Sequence, residues 1–247
     1  MHSLLLVLVR CDEPLSPVLK QLRSLPFPYL IYQKVGGGCN RHALPDSEAS
    51  RTRLLPLNIG RECIGYLQYI TDEYTNLPPA VAFLQWGAET HMPFRGLGLG
   101  VNLHYLVNSS AGFVALSKNT FEGVWPAPCE PASILPAFAS CSDAYWWELT
   151  TDGPLAGSLP PRRLRFFANG IFAVTAERIR QHPRSFYREL LSRLSGDAPL
   201  RCVDGKAYRA FHNRNSSGIV KAEVDCLVLE KLWHVMFGEP AMLPAPE

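Results

Sequence analysis

The chain has 247 residues, 47% of them hydrophobic, with 24 basic and 22 acidic side chains and a formal net charge of +2. That length and apolar content support one large α/β core, and the balanced, dispersed charge excludes the electrostatic footprint of a nucleic-acid-binding protein. No run reaches the ~18 to 20 apolar residues of a membrane helix, and the apolar opening lacks the basic start and cleavage site of a signal peptide, so a soluble, cytoplasmic protein without an anchor is expected.

Residues 4–9 form a continuous apolar run of strand length, followed at once by Arg10, Cys11, Asp12 and Glu13 and then by a helical pattern through Val18, Leu19 and Leu22. Residues 29–32 read as a second strand, closed by the flexible Gly36, Gly37 and Gly38. Asn58 is a candidate N-cap for a helix whose core face is Cys63, Leu67, Ile70 and Tyr74, at spacings of four, three and four. Pro78 and Pro79 break that pattern, and residues 80–84 supply a third buried strand ending at Gln85. Strand, helix, strand, helix, strand in this order predicts a mostly parallel α/β sheet with helices on its faces.

From about residue 94 to 161 the chain is rich in Gly, Pro, Ser and Trp without sustained periodicity. It is expected to be a long irregular insertion or covering subdomain within a single α/β domain spanning 1–247. Regularity returns at 164–174, a strand interrupted by Asn169 and Gly170, with Thr175 capping a short helix. Pro183 suits the first turn of a helix turning Phe186, Leu190, Leu191 and Leu194 inward. A final helix over about 221–237 is apolar around most of its circumference and stops at Gly238 and Pro240, ahead of a frayed tail.

The seven cysteines are odd in number and scattered, with no C-x-x-C pair. Several sit inside apolar runs, where a free thiol packs as a small hydrophobe, and a reducing compartment fits better than the alternative of a secreted chain.

Ligands of an open parallel sheet bind beyond the C-terminal ends of its strands, which nominates Arg10, Asp12 and Glu13 after the first strand and Gln85, Glu89 and His91 after the third. The alternative for each is a solvated loop residue. Arg61 falls in the first turn of the Asn58-capped helix, where the dipole disfavours a cation. Either a carboxylate such as Glu62 pairs with it, or Arg61, the helix start and the close backbone approach allowed by Gly60 bind a phosphate. Cys226, Glu230 and His234 share one face of the last helix. Glu230 and His234 are either a satisfied structural pair or a general base or metal ligand projecting into a site. A G-x-S-x-G elbow, a P-loop, a G-x-G-x-x-G at a strand-helix turn and an H-E-x-x-H are all missing.

On the stretches LVLVRCDEPL, LNIGRECIGYLQYITDEYTNLP, VAFLQ, FAVTAERIRQHPRSFYREL and LEKLWHVMFGEP, the chain resembles a family of fungal, algal and bacterial proteins grouped as a domain of unknown function. That family is in turn distantly similar to GT-A glycosyltransferases of the rhamnan-synthesis kind. The resemblance implies a Rossmann-like, GT-A-like α/β fold that uses a nucleotide-sugar donor and an unidentified acceptor. Asn58, Gly60 and Arg61 would hold the diphosphate, Gln85 and His91 would orient the donor or share a metal, Arg10 and Asp12 would be further donor-binding residues, and Glu230 or His234 would be the base. A divalent ion, manganese or magnesium, would serve such an enzyme, yet the D-x-D motif that holds it in metal-dependent members is absent and Gln85 stands where acids are expected. A non-catalytic sugar- or nucleotide-binding protein on the same scaffold, or an acyl- or aminoacyl-type transferase, are the other readings.

Overall fold

A computed structural model describes residues 4–35, 39, 44–56, 60–94, 97–107, 111–125, 135–152, 155–195 and 219–243. Strand β1 (Leu4–Arg10), helix α1 (Ser16–Ser24), β2 (Tyr29–Lys34), β3 (Thr52–Leu55), helix α2 (Cys63–Glu73) and β4 (Ala80–Gln85) follow in order. They are succeeded by α3 (Gly98–Val107), β5 (Phe113–Ala115), β6 (Thr120–Val124), α4 (Leu135–Leu149), β7 (Arg163–Phe167), β8 (Phe172–Thr175), α5 (Ala176–Ile179), α6 (Arg184–Ser195) and α7 (Ile219–Met236).

Six strands form the main sheet in the order β3-β2-β1-β4-β8-β5. The β3, β2, β1 and β4 strands are parallel, whereas β8 runs antiparallel to both β4 and β5. The expected mostly parallel α/β sheet is therefore present. Because Phe83 of β4 lies opposite Phe172 of β8, the chain enters β8 at the edge where β1 and β4 end. This reversal puts the turn before β8 among the C-terminal ends of the parallel strands.

Alternation along the strands builds two cores. Val7, Val9, Val81, Phe83, Phe172 and Val174 face the layer of α2, α6 and α7, and Leu4, Leu6, Leu8, Ala82 and Leu84 face α1 and α3. Helix α2 approaches β1 closely: a methyl group at Gly65 would sit 2.4 Å from Val9 Cγ2, so only glycine lets the helix start lie this near the sheet edge. Helix α7 is pinned by an aromatic cluster in which Trp233 stands 5.3 Å from Phe172 and 6.1 Å from Tyr66 between ring centroids. Its end is closed by Gly238 at φ +81, with the Glu239 amide donating to the His234 carbonyl at 2.8 Å.

Several expectations are corrected. The stretch 94–161 holds α3, β5, β6 and α4, and β5 completes the main sheet rather than covering it. Helix α3 and helix α4 escape a periodicity reading because they are apolar on several faces. Strand β3, with exposed Arg53 and Leu54, carries no strand-like burial signal. Cys11 is bonded to Cys39, and Cys63 to Cys226 across 163 residues. For these four cysteines the pairings overturn the free-thiol reading, and with it the argument for a reducing compartment, since fold topology, not spacing, brings the sulfurs together. Thr175 caps α5 as expected, accepting from the Arg178 amide. Among the described residues no helix is long and apolar enough to cross a membrane.

Candidate functional site at the C-terminal edge of the sheet

The order β3-β2-β1-β4 changes direction between β1 and β4, which makes their C-terminal ends the switch point of the sheet. Arg10 ends β1 there, but it is 1% exposed. Its Nη1 donates to Gln33 Oε1, and Nε and Nη2 donate to the Glu13 carbonyl at 3.0 and 2.8 Å. The guanidinium also lies 5.5 Å from the Trp86 ring, whose Nε1 donates to the Pro14 carbonyl at 2.8 Å. Arg10 is thus a clamp between strand ends and loop, not the ligand-facing residue expected. Asp12, Gln85 and His91 do lie at this edge, each half-buried, in or beside the loops after β1 and β4.

Asn58 lies outside the described residues. The helix start is not where a cap at Asn58 would put it: α2 begins at Cys63, behind Glu62. Gly60 and Arg61 take left-handed φ values of +62° and +46°, which turn the chain sharply into the helix. The amides of Ile64, Gly65 and Tyr66 already donate to the carbonyls of Gly60 and Glu62. Gly60 itself is buried against Ile64 and Leu194. These three amides, together with the buried backbone of Gly60, are therefore not available to a phosphate. What remains is the Arg61 guanidinium, 42% exposed, with Nε 3.8 Å from Glu62 Oε2.

Glu62 turns the other way. It is 8% exposed, and its Oε1 has no hydrogen-bond partner. A methyl group at Gly170 would lie 3.3 Å from Glu62 Oε1, 3.6 Å from Glu230 Cγ and 3.6 Å from Trp233 Nε1. Two carboxyl-bearing side chains and an indole thus converge on one glycine at φ +54°. The Tyr66 hydroxyl and Trp233 Nε1 are likewise buried without hydrogen-bond partners, an unusual concentration of unsatisfied polar atoms.

The turn before β8 holds Glu230 in place. Asn169, at φ +74°, donates its backbone N–H to Glu230 Oε1 at 2.5 Å, while its side-chain Nδ2 donates to Ser117 Oγ at 3.2 Å. Asparagine tolerates the left-handed conformation that aims this N–H at the carboxylate. Burial, followed by the charge of Glu62, raises the Glu230 carboxyl from its ordinary 4.5 to about 7, against the opposing pull of Arg61 and the Asn169 hydrogen bond. A carboxyl with that proton affinity, with one oxygen anchored and some surface retained, is suited to acid-base chemistry at neutral pH.

His234 does not share this role. It is 2% exposed and lines, with Glu230 and Trp233, a cavity of about 10 Å³, the size of one water molecule. Burial lowers its imidazole to about 4, so it stays neutral and sealed, and its expected part as a general base is withdrawn. The unfolded chain binds the His234 proton at higher pH than the folded one, so this burial destabilises the fold progressively as pH falls from about 6.5 toward 4. Glu230 acts oppositely, because the fold holds its proton more tightly and gives up that stabilisation as pH rises through about 7. Replacing His234 by glutamine is expected to recover about 3 kcal/mol of the acid-side loss, read by urea denaturation at pH 4 and pH 7. Equal pH slopes in both proteins would contradict this.

The donor chemistry does not favour a metal. Among the described residues, Glu62, Cys63 and Cys226 place ligating atoms within 4.8 Å of one another, but the two sulfurs are bonded to each other and offer no thiolate. Neither Asp12 nor His91 belongs to such a grouping. Among the described residues, no such donor set fits the divalent ion considered for the donor.

Glu62, Tyr66, Ser117, Asn169, Gly170 and Trp233 were not candidates from the sequence. The adjacent Arg61-Glu62 pair and the Asn169-Gly170 interruption were its only traces. No family model, no curated protein and no solved structure matches this chain.

Proposed function

We propose that this protein is a glycosyltransferase-like enzyme that moves a sugar from a nucleotide diphosphate donor to an acceptor hydroxyl, with a GT-A-like form of the α/β fold. The observation that carries the proposal is the convergence of Arg61, Glu62, Asn169 and Glu230 where the parallel strands end. Glu230, with its carboxyl raised to about 7, is part deprotonated at neutral pH. It takes the acceptor O–H proton as the acceptor oxygen bonds to the anomeric carbon and the bond from that carbon to the diphosphate oxygen breaks. The nucleotide diphosphate leaves with the electron pair, and the exposed Arg61 guanidinium faces the charge that develops on it. Asp12, Gln85 and His91, on the switch-point side, orient the donor.

The rival reading is a protein that binds the nucleotide sugar without turnover. The packed floor at the switch point, where Trp86 covers Arg10, favours it. Incubation with a panel of nucleoside-diphosphate sugars separates the two, since an enzyme releases nucleotide and a binder gives only a thermal shift. In calorimetry with the same panel, Arg61→Ala is expected to weaken binding by about 10-fold or more, the scale of a charge-assisted contact, with an unchanged melting temperature. Unaltered affinity would remove Arg61 from the site.

A further inference from the structure

We infer that a groove at the other end of the sheet, where β1 and β2 begin, is a second ligand site, and that it takes a single-chain carboxylate. The apolar chain lies along its floor and the oxyanion meets Arg23 and Arg51. Leu5, Leu25, Phe27 and Leu30 line the groove with these two arginines, around a volume of about 510 Å³, within the range of small-molecule sites. The connection from α1 to β2 shapes it. Leu25 leaves α1 in an extended conformation ahead of Pro26, and the Pro28 carbonyl accepts the Leu6 N–H at 3.0 Å, which ties the loop to β1. Leu5, Leu25, Phe27 and Leu30 are each half-buried. They line a recess and do not project as a patch, which suits the tail of one molecule and not a bilayer pressed against a face.

The rim is cationic because two guanidiniums share one carboxylate. Glu48, on the short helical segment Asp46–Arg51, is 1% exposed. Its Oε1 accepts from Arg23 Nε and Nη2 at 2.9 and 2.7 Å, and its Oε2 accepts from the Tyr29 hydroxyl at 2.8 Å. Arg51 Nη1 stands 3.9 Å from Oε2, beyond hydrogen-bond length, and its guanidinium lies 5.1 Å from the Tyr29 ring centroid. Among the described residues neither arginine pairs with another carboxylate. One positive charge is therefore left over beside an apolar recess, and both guanidiniums keep half of their surface open to receive an anion. Arg23 is held by Glu48 and by Ser47 Oγ at 3.0 Å, and Arg51 by the Tyr29 face, so a ligand orders little that is not already ordered. A planar guanidinium matches a carboxylate with paired N–H donors. The volume sets the chain at about ten carbons, a ligand in the drug-sized range.

The test is calorimetric titration of the full chain with decanoate below its micelle-forming concentration, with decanol and acetate as controls for head and tail. Decanoate is expected to bind, and each control to bind at least about 10-fold more weakly. Arg51→Gln is expected to lower decanoate affinity about 10-fold, and Arg51→Lys, which keeps the charge but not the fork, to lose less. Amide shift mapping with decanoate is expected to mark Leu5, Leu25, Phe27, Leu30 and Arg51, and this map on the wild type decides if Arg51→Gln does not fold. Absence of decanoate binding, equal affinity for decanol, an unchanged affinity in Arg51→Gln, or shifts at Arg61 and Glu230 in place of the groove overturns the inference. So does binding to phosphatidylserine vesicles by a protein that ignores decanoate. The groove lies away from Arg61 and Glu230, so neither its failure nor its success bears on the transferase proposal.

Discussion

Glu230→Gln is expected to lower the turnover of sugar transfer by a factor of about 10² to 10⁴, the usual contribution of a positioned general base, while leaving donor affinity near wild type. Glutamine keeps the length and the acceptor that receives the Asn169 N–H, so the turn before β8 stays in register. What it removes is the group that accepts the proton. The measurement is nucleotide release and product formation with whichever donor the panel identifies. Turnover in the variant within a few-fold of wild type would assign the base elsewhere. A loss of affinity with turnover intact would instead place Glu230 among the binding residues.

The largest loss of stability is expected from the disulfide beneath the site. The Cys63→Ala, Cys226→Ala double variant removes a crosslink between positions 163 residues apart. The chain-entropy argument puts the cost at about 5 kcal/mol, seen as a fall in melting temperature on the order of 10 °C. Removing Cys11–Cys39, which spans 28 residues, should cost about 1.5 kcal/mol less, because the closed loop is shorter. Urea denaturation of the two double variants under non-reducing conditions measures the difference. Equal stability of the Cys63, Cys226 variant and wild type would show that the sulfurs contribute no constraint.

The sheet was legible where burial is two-sided. Residues 4–9 and 80–84 are continuous apolar runs because each strand is covered by helices on both faces, and a short run with no polar face marks a strand buried in that way. Thr175 and Gly238 were legible because capping geometry depends on local chemistry. Helices α3 and α4 were not, since exposed apolar residues such as Val101 and Trp147 blur the polar face that marks a helix in sequence. The site divides the same way. Glu230 could be picked out as an acid on an apolar helix, but its partners are contributed by α2, by Ser117 after β5 and by the turn at Asn169, and only the antiparallel entry of β8 brings those segments together. Arg10 misled because an arginine at a strand end looks alike whether it meets a ligand or, as here, a glutamine and a carbonyl. Likewise the expected start of α2 was displaced by the left-handed pair Gly60 and Arg61. A positive φ at arginine leaves no mark in a residue pattern.

The proposal stands on the carboxyl-lined edge beside Arg61 being where a nucleotide sugar lands. Backbone amide chemical-shift mapping of the labelled protein with nucleoside-diphosphate sugars tests this most directly. Perturbations are predicted to cluster at Arg61, Glu62, Ser117, Asn169, Gly170 and Glu230, and to vanish at the same ligand concentration in Arg61→Ala. Shifts confined to the opposite edge of the sheet, or to the groove between α4 and α6 lined by Trp147 and Phe186, would contradict it.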